Sequence, residues 1–323
     1  MKGLTLVTGA TGYLGRHLID DLLDDGLPVR ALVHSEWRGE ELEAQGVQVV
    51  YGDVCDPANL SESALCEGVE TVYHLVGGGN RGEIDPFLIN TEGTRNVMDL
   101  CRSTDLQAFV YVSSSTVYGR QSEWVDEETS PAPRFDYPQS KLEAEELLLE
   151  AARERGFPAK VVRMAGIYGP EASMLGADLV RQGRLRITGD GQNVISVIHV
   201  ADAVQGLRAV AERGRAGQIY CLGDDEPVPV YTFHNHLAGL LGARPVRTTS
   251  VRQVQVLVHI LNFLSRLVGR RPLALEAIIE LATLNVRMRN AKVREELGLE
   301  LEYPTYREGL AQCADWILSD EEE

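Results

Sequence analysis

Two residues four positions apart offer proton chemistry. Tyr137 and Lys141, in Tyr137-Pro138-Gln139-Ser140-Lys141, open a segment with helical periodicity, and side chains at that spacing share one helix face. A free phenol titrates near about 10, too high for ready exchange at neutral pH. A neighbouring ammonium favours phenolate and brings the group towards the working range. Upstream, Val112-Ser113-Ser114-Ser115-Thr116-Val117-Tyr118-Gly119 follows an apolar run. A hydroxyl there is placed to hydrogen-bond a carbonyl or alkoxide oxygen. Tyr-x-x-x-Lys alone is a frequent chance pattern, and the hydroxyls alone read as a structural cluster. The weight of both rests on what precedes them.

What precedes them is Thr8-Gly9-Ala10-Thr11-Gly12-Tyr13-Leu14-Gly15, between an apolar run and a helical pattern. Gly9 permits a tight turn, Gly12 lets a pyrophosphate approach the backbone, and Gly15 lets helix and strand pack closely. The backbone of Thr11, Tyr13 and Leu14 then supplies free N–H groups and a positive dipole end. A tight turn without a ligand would use the same glycines, but the strand–loop–helix setting favours nucleotide binding. An acidic residue roughly 20 positions on would hold the 2′-hydroxyl of NAD. At that place stand Val33-His34-Ser35, with Glu36 two residues beyond His34. His34 and Arg38 suit the 2′-phosphate of NADP instead, so NADP is expected, with NAD the alternative. Asp53 and Val54 follow the third strand, where a carboxylate can accept from the adenine amino group or merely cap a turn. Leu75, Val76 and Gly77, leading into Gly78-Gly79, end the fourth strand, where open α/β sheets bind ligands.

The elements that must position these residues alternate. Strands are expected at 4–8, 29–33, 47–51, 71–75, 109–113 and 160–164. Helices are expected at 13–25, 59–66, 87–102 and 139–155, the last ending at Gly156. Near-continuous apolar strands separated by helices indicate a doubly wound parallel sheet covered on both faces. After about Gly169 helical signals dominate, with short β-like runs at 194–198 and 218–222. The expected division is a dinucleotide-binding domain, 1–170, and a substrate-binding region, 171–323, packed closely on it and partly returning to the sheet.

Composition excludes other classes. Lys and Arg number 31 and Asp and Glu 48, a formal charge of −17, which opposes nucleic-acid binding. Cys55, Cys66, Cys101, Cys221 and Cys313 are scattered, odd in number and without Cys-x-x-Cys. Neither a disulfide framework nor a zinc site is expected, and a reducing, cytoplasmic setting is. The glycine loop begins too early to leave room for a signal peptide. Residues 254–267 are apolar but striped with Gln255, His259, Asn262 and Arg266. That reads as a core or interface helix or a membrane-surface contact, not a span. The acidic end, 320–323, reads as a solvated tail.

Taken together, TGATGYLG, GDVCD, Asn90 in NTEGT, SSSTVYG, YPQSK, Arg163 before IYGP, and HVADAV at 199–204 resemble the extended short-chain dehydrogenases/reductases. Within these they resemble the NAD-dependent epimerase/dehydratase family, from Leu4 to about Trp316. The resemblance implies a Rossmann-type fold with a smaller, mainly helical C-terminal region. It implies that Tyr137 is the acid/base, that Lys141 binds the nicotinamide ribose and tunes Tyr137, and that Ser114 orients the substrate. It places Asn90 near the nicotinamide. The expected reaction is hydride transfer to or from a carbonyl/carbinol carbon of a small molecule, with no metal.

Three departures narrow it. Ser115-Thr116 stand where 4,6-dehydratases of the family carry Asp-Glu. Ile195 stands where nucleotide-sugar members carry an Arg, and an aliphatic chain cannot pair with phosphate; Arg181, Arg184 or Arg186 would have to substitute. The stretch Arg163–Pro170 lacks a familiar Asn or Pro. With a turn at 269–272, the layout is similar to ketone and aldehyde reductases of the dihydroflavonol-reductase-like and hopanoid-associated branches. A nucleotide-sugar epimerase holding NAD tightly is the alternative. A sensor without chemistry is disfavoured, because Tyr137 and Lys141 are both present. A homodimer through the helices at 87–102 and 139–155 is expected, with Leu142, Leu147 and Leu149 suited to burial.

Overall fold

The computed structural model describes residues 3–61, 65–78, 85–102, 104–267 and 275–319. Gly79, the 269–272 turn and the acidic tail lie outside them.

Seven strands form one sheet: β1 (Leu4–Thr8), β2 (Val29–Val33), β3 (Gln48–Tyr51), β4 (Val69–His74), β5 (Ala108–Ser114), β6 (Ala159–Met164) and β7 (Ile219–Leu222). Their order is β7-β6-β5-β4-β1-β2-β3, and every pairing is parallel. Neighbouring strand residues divide between the faces. Val7, Tyr73, Val110 and Val162 join one core cluster, and Leu6, Val72, Phe109 and Val161 join the other. Both sets are fully buried, which is why these strands read as continuous apolar runs rather than alternating ones.

Helices α1 (Tyr13–Asp24) and α2 (Glu36–Ala44) follow β1 and β2. α1 turns Leu14, Leu18, Ile19 and Leu22 inward, an apolar stripe at helical spacing. On the opposite face lie α3 (Gly93–Cys101), through Val97 and Met98, and α4 (Asp136–Arg155), through Ala144 and Leu148. α4 ends at Gly156 in the left-handed region, φ 66°, the helix stop that glycine allows. α5 (Val200–Arg213) covers the α1 face, with Ala203, Val204 and Leu207 in that core. A third cluster, including Tyr168, Phe233, Leu237 and Leu310, joins α6 (Val230–Leu240) to the helix Tyr306–Ser319. α7 (Val251–Leu267) and α8 (Leu275–Ala282) complete this part.

Several expectations need correction. The helix expected at 59–66 is only Pro57–Ser61, and Leu65–Gly68 form a turn. The helix expected at 87–102 begins as a π-helical turn, Phe87–Glu92. The β-like run at 194–198 breaks into Val194–Ile195 and Val197–His199, which pair with different strands. Among the cysteines, Cys66 and Cys101 are disulfide-bonded, their Cα atoms 5.4 Å apart. Cys66 lies in the turn before β4 and Cys101 ends α3, a juxtaposition that a separation of 35 residues does not disclose.

Candidate active site

Strand order reverses between β1 and β4, and the carboxyl ends of those strands are where open α/β sheets bind ligands. Both predicted glycine segments arrive there. The turn after β1 closes with Gly12 N–H donating to the Gly9 carbonyl at 3.0 Å, and Leu75 N–H donates to Thr8 O at 3.1 Å. Gly9 has φ 72°, and a Cβ on it would stand 2.9 Å from the backbone of Leu75 and Val76. A Cβ on Gly15 would stand 2.3 Å from Gly9 O. Gly12 is exposed and is the N-cap of α1, with no side chain over the helix end. Thr11 is half-buried and Leu14 packs inward. The Tyr13 side chain turns away from the loop and donates to Pro170 O at 2.8 Å. Its contribution at the helix end is therefore its N–H.

The end of β4 meets α4. Lys141 is buried, and its Nζ donates to Val76 O at 3.1 Å and Val112 O at 3.0 Å, 4.9 Å from the Tyr111 ring centroid. Gly77 leaves room for it, since a Cβ there would lie 2.9 Å from Lys141 Nζ and 3.7 Å from Asn90 Oδ1. Asn90, fully buried on the π-helical turn, donates to Gly78 O at 3.0 Å and Ser140 Oγ at 2.9 Å and accepts from Gly78 N–H at 3.1 Å. Ser140 Oγ in turn donates to Tyr137 O at 2.9 Å. Asn90 thus joins the β4 loop to the first turn of α4, which carries Tyr137. A π-helical turn at such a place is common at functional sites.

Ser114 ends β5 and caps a short 3₁₀ turn. Its Oγ accepts from Thr116 N–H at 3.2 Å and Thr116 Oγ1 at 2.8 Å. Ser114 also hydrogen-bonds the Tyr137 phenol. That bond lowers the Tyr137 pKa, but burial acts more strongly and raises it above the ordinary tyrosine value. Burial lowers the Lys141 pKa to about 7, against a smaller upward pull from Glu145, and two carbonyls hold its Nζ.

Of the groups beneath this pair, sequence reasoning quoted Arg163 only as part of the resemblance and did not single out Glu145. Glu145, one turn after Lys141, forms a buried ion pair with Arg163 at 2.8 Å, and Arg163 also donates to Tyr118 OH at 3.0 Å. His74 is fully buried between Thr8 Oγ1, 2.7 Å, and Thr94 Oγ1, 2.9 Å. Thr94 donates to Asn90 O at 2.6 Å, so it accepts from His74 Nε2–H, and Nδ1 accepts from Thr8. The signal for both lay in the sequence only as charged or polar residues inside apolar strands and a helix.

At the other end, Val54 is buried and its carbonyl accepts from Asn96. Asp53 accepts from Cys55 N–H at 2.9 Å, a turn-capping role, while its second oxygen faces His34 Nε2 at 3.7 Å. Arg38 lies over the Trp37 ring, 4.8 Å from its centroid. Both line a pocket of about 710 Å³ with Thr11 and Arg16; Arg16 and Trp37 were not anticipated. Beside Ser114 a second cavity, about 350 Å³, is walled by Met164, Met174, Ile195, Val230, Leu281 and Leu284. Its polar lining is Ser114, Ser115, Thr116, Ser196 and His234, with no charged side chain. Arg181, Arg184 and Arg186 are exposed and do not line it.

Comparison with known proteins follows the same lines. The profile of the NAD dependent epimerase/dehydratase family matches residues 5–223. The chain is 32% identical over 308 residues to a "4-hydroxy-2-methyl-3-oxo-4-farnesyl-3,4-dihydroquinoline-1-oxide ketoreductase" of Stigmatella aurantiaca, covering 91% of each chain. It is 28% identical to a "3-beta-hydroxysteroid dehydrogenase" of Mycolicibacterium neoaurum, covering 96% of this chain and 90% of that one. Its fold superposes on UDP-glucose 4-epimerase of Thermotoga maritima with a TM-score of 0.81 at 20% identity, covering 98% and 99% of the two chains. For dTDP-glucose 4,6-dehydratase of Bacillus anthracis in complex with NAD the TM-score is 0.79 at 20% identity, covering 99% and 97%. With a glycine loop and a topological switch point that fit a dinucleotide, the chain is an NAD(P)-dependent oxidoreductase of small molecules, and it belongs to the NAD dependent epimerase/dehydratase family.

Proposed function

We propose that the protein is an NADP-dependent reductase of an apolar ketone or aldehyde. The observation that carries this reading is the cavity beside Ser114, walled by aliphatic and thioether side chains and without a charge. Ile195 forms part of that wall at the place where a nucleotide-sugar enzyme would need a phosphate-pairing group. Desolvating a diphosphate against such a wall is costly, whereas an apolar carbonyl compound gains from it. The similar ketoreductase and hydroxysteroid dehydrogenase carry a farnesyl-bearing ring and a steroid in their names, and a substrate of that class suits this cavity.

Each residue then has a task. Gly9, Gly12 and Gly15, with the backbone of Thr11, Tyr13 and Leu14, hold the diphosphate of the cofactor. His34 and Arg38, with Arg16 from the pocket that Arg38 lines, meet the 2′-phosphate, while Asp53 and Val54 border the adenine. Leu75, Val76, Gly77 and Asn90 border the nicotinamide end. When bound, the nicotinamide supplies the hydride. Lys141 holds the ribose, Ser114 donates to the carbonyl oxygen, and Tyr137 delivers the proton from its OH. Burial keeps the Tyr137 phenol protonated, so the proton is in place to be delivered. Positioning is the protein's share of the rate.

Denaturing the purified protein and identifying any released nucleotide tests this. An empty protein that binds NADPH more tightly than NADH and oxidises it with apolar ketones supports the reading. Near-stoichiometric NAD with no turnover of such ketones overturns it in favour of an epimerase.

The homodimer and the cytoplasmic location belong to the same proposal. Leu142, Leu147 and Leu149 are only half-buried within one chain, leaving apolar surface on α4 for a second copy; a monomer mass in sedimentation would exclude it. Cys55, Cys221 and Cys313 are free thiols. Alkylation of Cys66 and Cys101 in freshly lysed cells would agree with a reducing compartment, and their protection would argue against one.

A further inference from the structure

Helix α7 has one face too many for a soluble surface. Val258 is buried, and Val254, Asn262 and Ser265 are half-buried on the same side. Across the helix, Val256, Leu257, Ile260, Leu261, Phe263 and Leu264 are exposed, from 41% for Leu261 to 63% for Phe263. At about 100° per residue these six fall on one continuous arc. Arg252, Gln255, His259 and Arg266 lie along one edge of that arc, and Gln253 heads it at the N-terminal end. Contiguous exposed apolar surface rimmed by polar residues marks an interaction site.

Charge selects the occupant. The stretch from Pro227 to Leu267 contains no Asp, Glu or Lys and four arginines, Arg244, Arg247, Arg252 and Arg266, in a chain of net charge −17. All four are exposed. A two-fold interface with a second copy would set this same basic edge against itself. An anionic lipid surface meets it with opposite charge and takes up the apolar arc. At 17 residues, the helix spans roughly 26 Å, short of a bilayer core. Among the described residues no helix is long and apolar enough to cross a membrane.

We propose that α7 docks the protein on anionic membranes, apolar arc inward. Helix α8 packs against α7, and its Leu281 is both partly exposed and part of the wall of the cavity beside Ser114. Through α8, α7 is thus joined to the wall of that cavity. Delivery of an apolar substrate from the bilayer follows if the proposed reductase reading holds; the docking itself does not depend on it.

Flotation of the full-length protein with phosphatidylcholine vesicles, with and without phosphatidylglycerol, tests the docking. The protein should float with the anionic vesicles at low salt and progressively less as salt rises. The double variant Arg252→Gln/Arg266→Gln should bind about 25-fold more weakly, at about fivefold per arginine. Leu257→Asp/Phe263→Asp should abolish flotation while NADPH binding and thermal midpoint stay near those of the parent. Failure of the parent protein to float, or flotation unaffected by both variants, overturns the proposal. So does conversion of a dimer to a monomer by the Asp variant, which would make the arc an interface between copies. Loss of ketone turnover with flotation intact would sink the reductase reading alone.

Discussion

The Asn90 carboxamide grips both backbone polar groups of Gly78, accepting from its N–H at 3.1 Å and donating to its carbonyl at 3.0 Å. The same amide reaches Ser140 Oγ at 2.9 Å, one turn from Tyr137. Asn90→Ala removes three hydrogen bonds from a fully buried position and should lower stability by about 1–3 kcal/mol. It should also depress turnover more than a remote variant of equal stability. Urea unfolding and NADPH oxidation, measured on the same preparation, check both. Equal losses in the two variants would make Asn90 merely structural.

Gly77→Ala isolates the cradle of Lys141. The backbone there is not left-handed, so the substitution adds no conformational strain, only a methyl 2.9 Å from Nζ. The ammonium must leave the Val76 and Val112 carbonyls. Cofactor affinity should fall about tenfold or more while the thermal midpoint moves little. Fluorescence titration with NADPH reads the first and calorimetry the second.

Tyr137→Phe removes the proposed proton donor and keeps the ring. Turnover should fall by about 10²–10⁴-fold, the usual range for a general acid, with cofactor binding retained. Ser114→Ala should lower turnover less, because the neighbouring Thr116 hydroxyl loses its present acceptor and is free to turn into the cavity. Unchanged turnover in the Phe variant would refute the assignment.

Removing half of the buried Arg163–Glu145 pair should be costly. Glu145→Ala leaves the guanidinium uncompensated, and such variants lose about 3–5 kcal/mol. Its effect on stability should exceed that of Glu146→Ala, an exposed neighbour. Denaturant midpoints decide it.

His74 predicts an acid-sensitive fold. Burial first, then the Lys141 charge, lowers its pKa from 6.5 to about 3. Between those values the unfolded chain holds a proton that the native imidazole does not, so stability falls as pH falls. The contribution is complete above about 6.5 and is lost at roughly 1.4 kcal/mol per pH unit on acidification. In His74→Gln that share of the pH dependence should vanish, as thermal midpoints from pH 7 to pH 3 would record. Superimposable profiles would contradict it.

The sequence by itself determined the sheet, the glycine loop and the catalytic candidates, because each is written in local spacing. Apolar runs such as 4–8 and 108–114 have no face left for water, and Gly9 and Gly15 stand where a Cβ would strike backbone. Tertiary structure alone decided what surrounds those residues. Lys141 could be placed near Tyr137 from their spacing, but the carbonyls that hold its Nζ come from β4 and β5, 65 and 29 residues away. Burial by those strands, which no four-residue pattern encodes, lowers the pKa of the ammonium that was expected to lower that of the phenol. The pairing of Cys66 with Cys101, the Arg163–Glu145 ion pair under the site and the uncharged cavity beside Ser114 arise in the same way. They are set by which elements the sheet order brings together, and burial then fixes the energetic consequence.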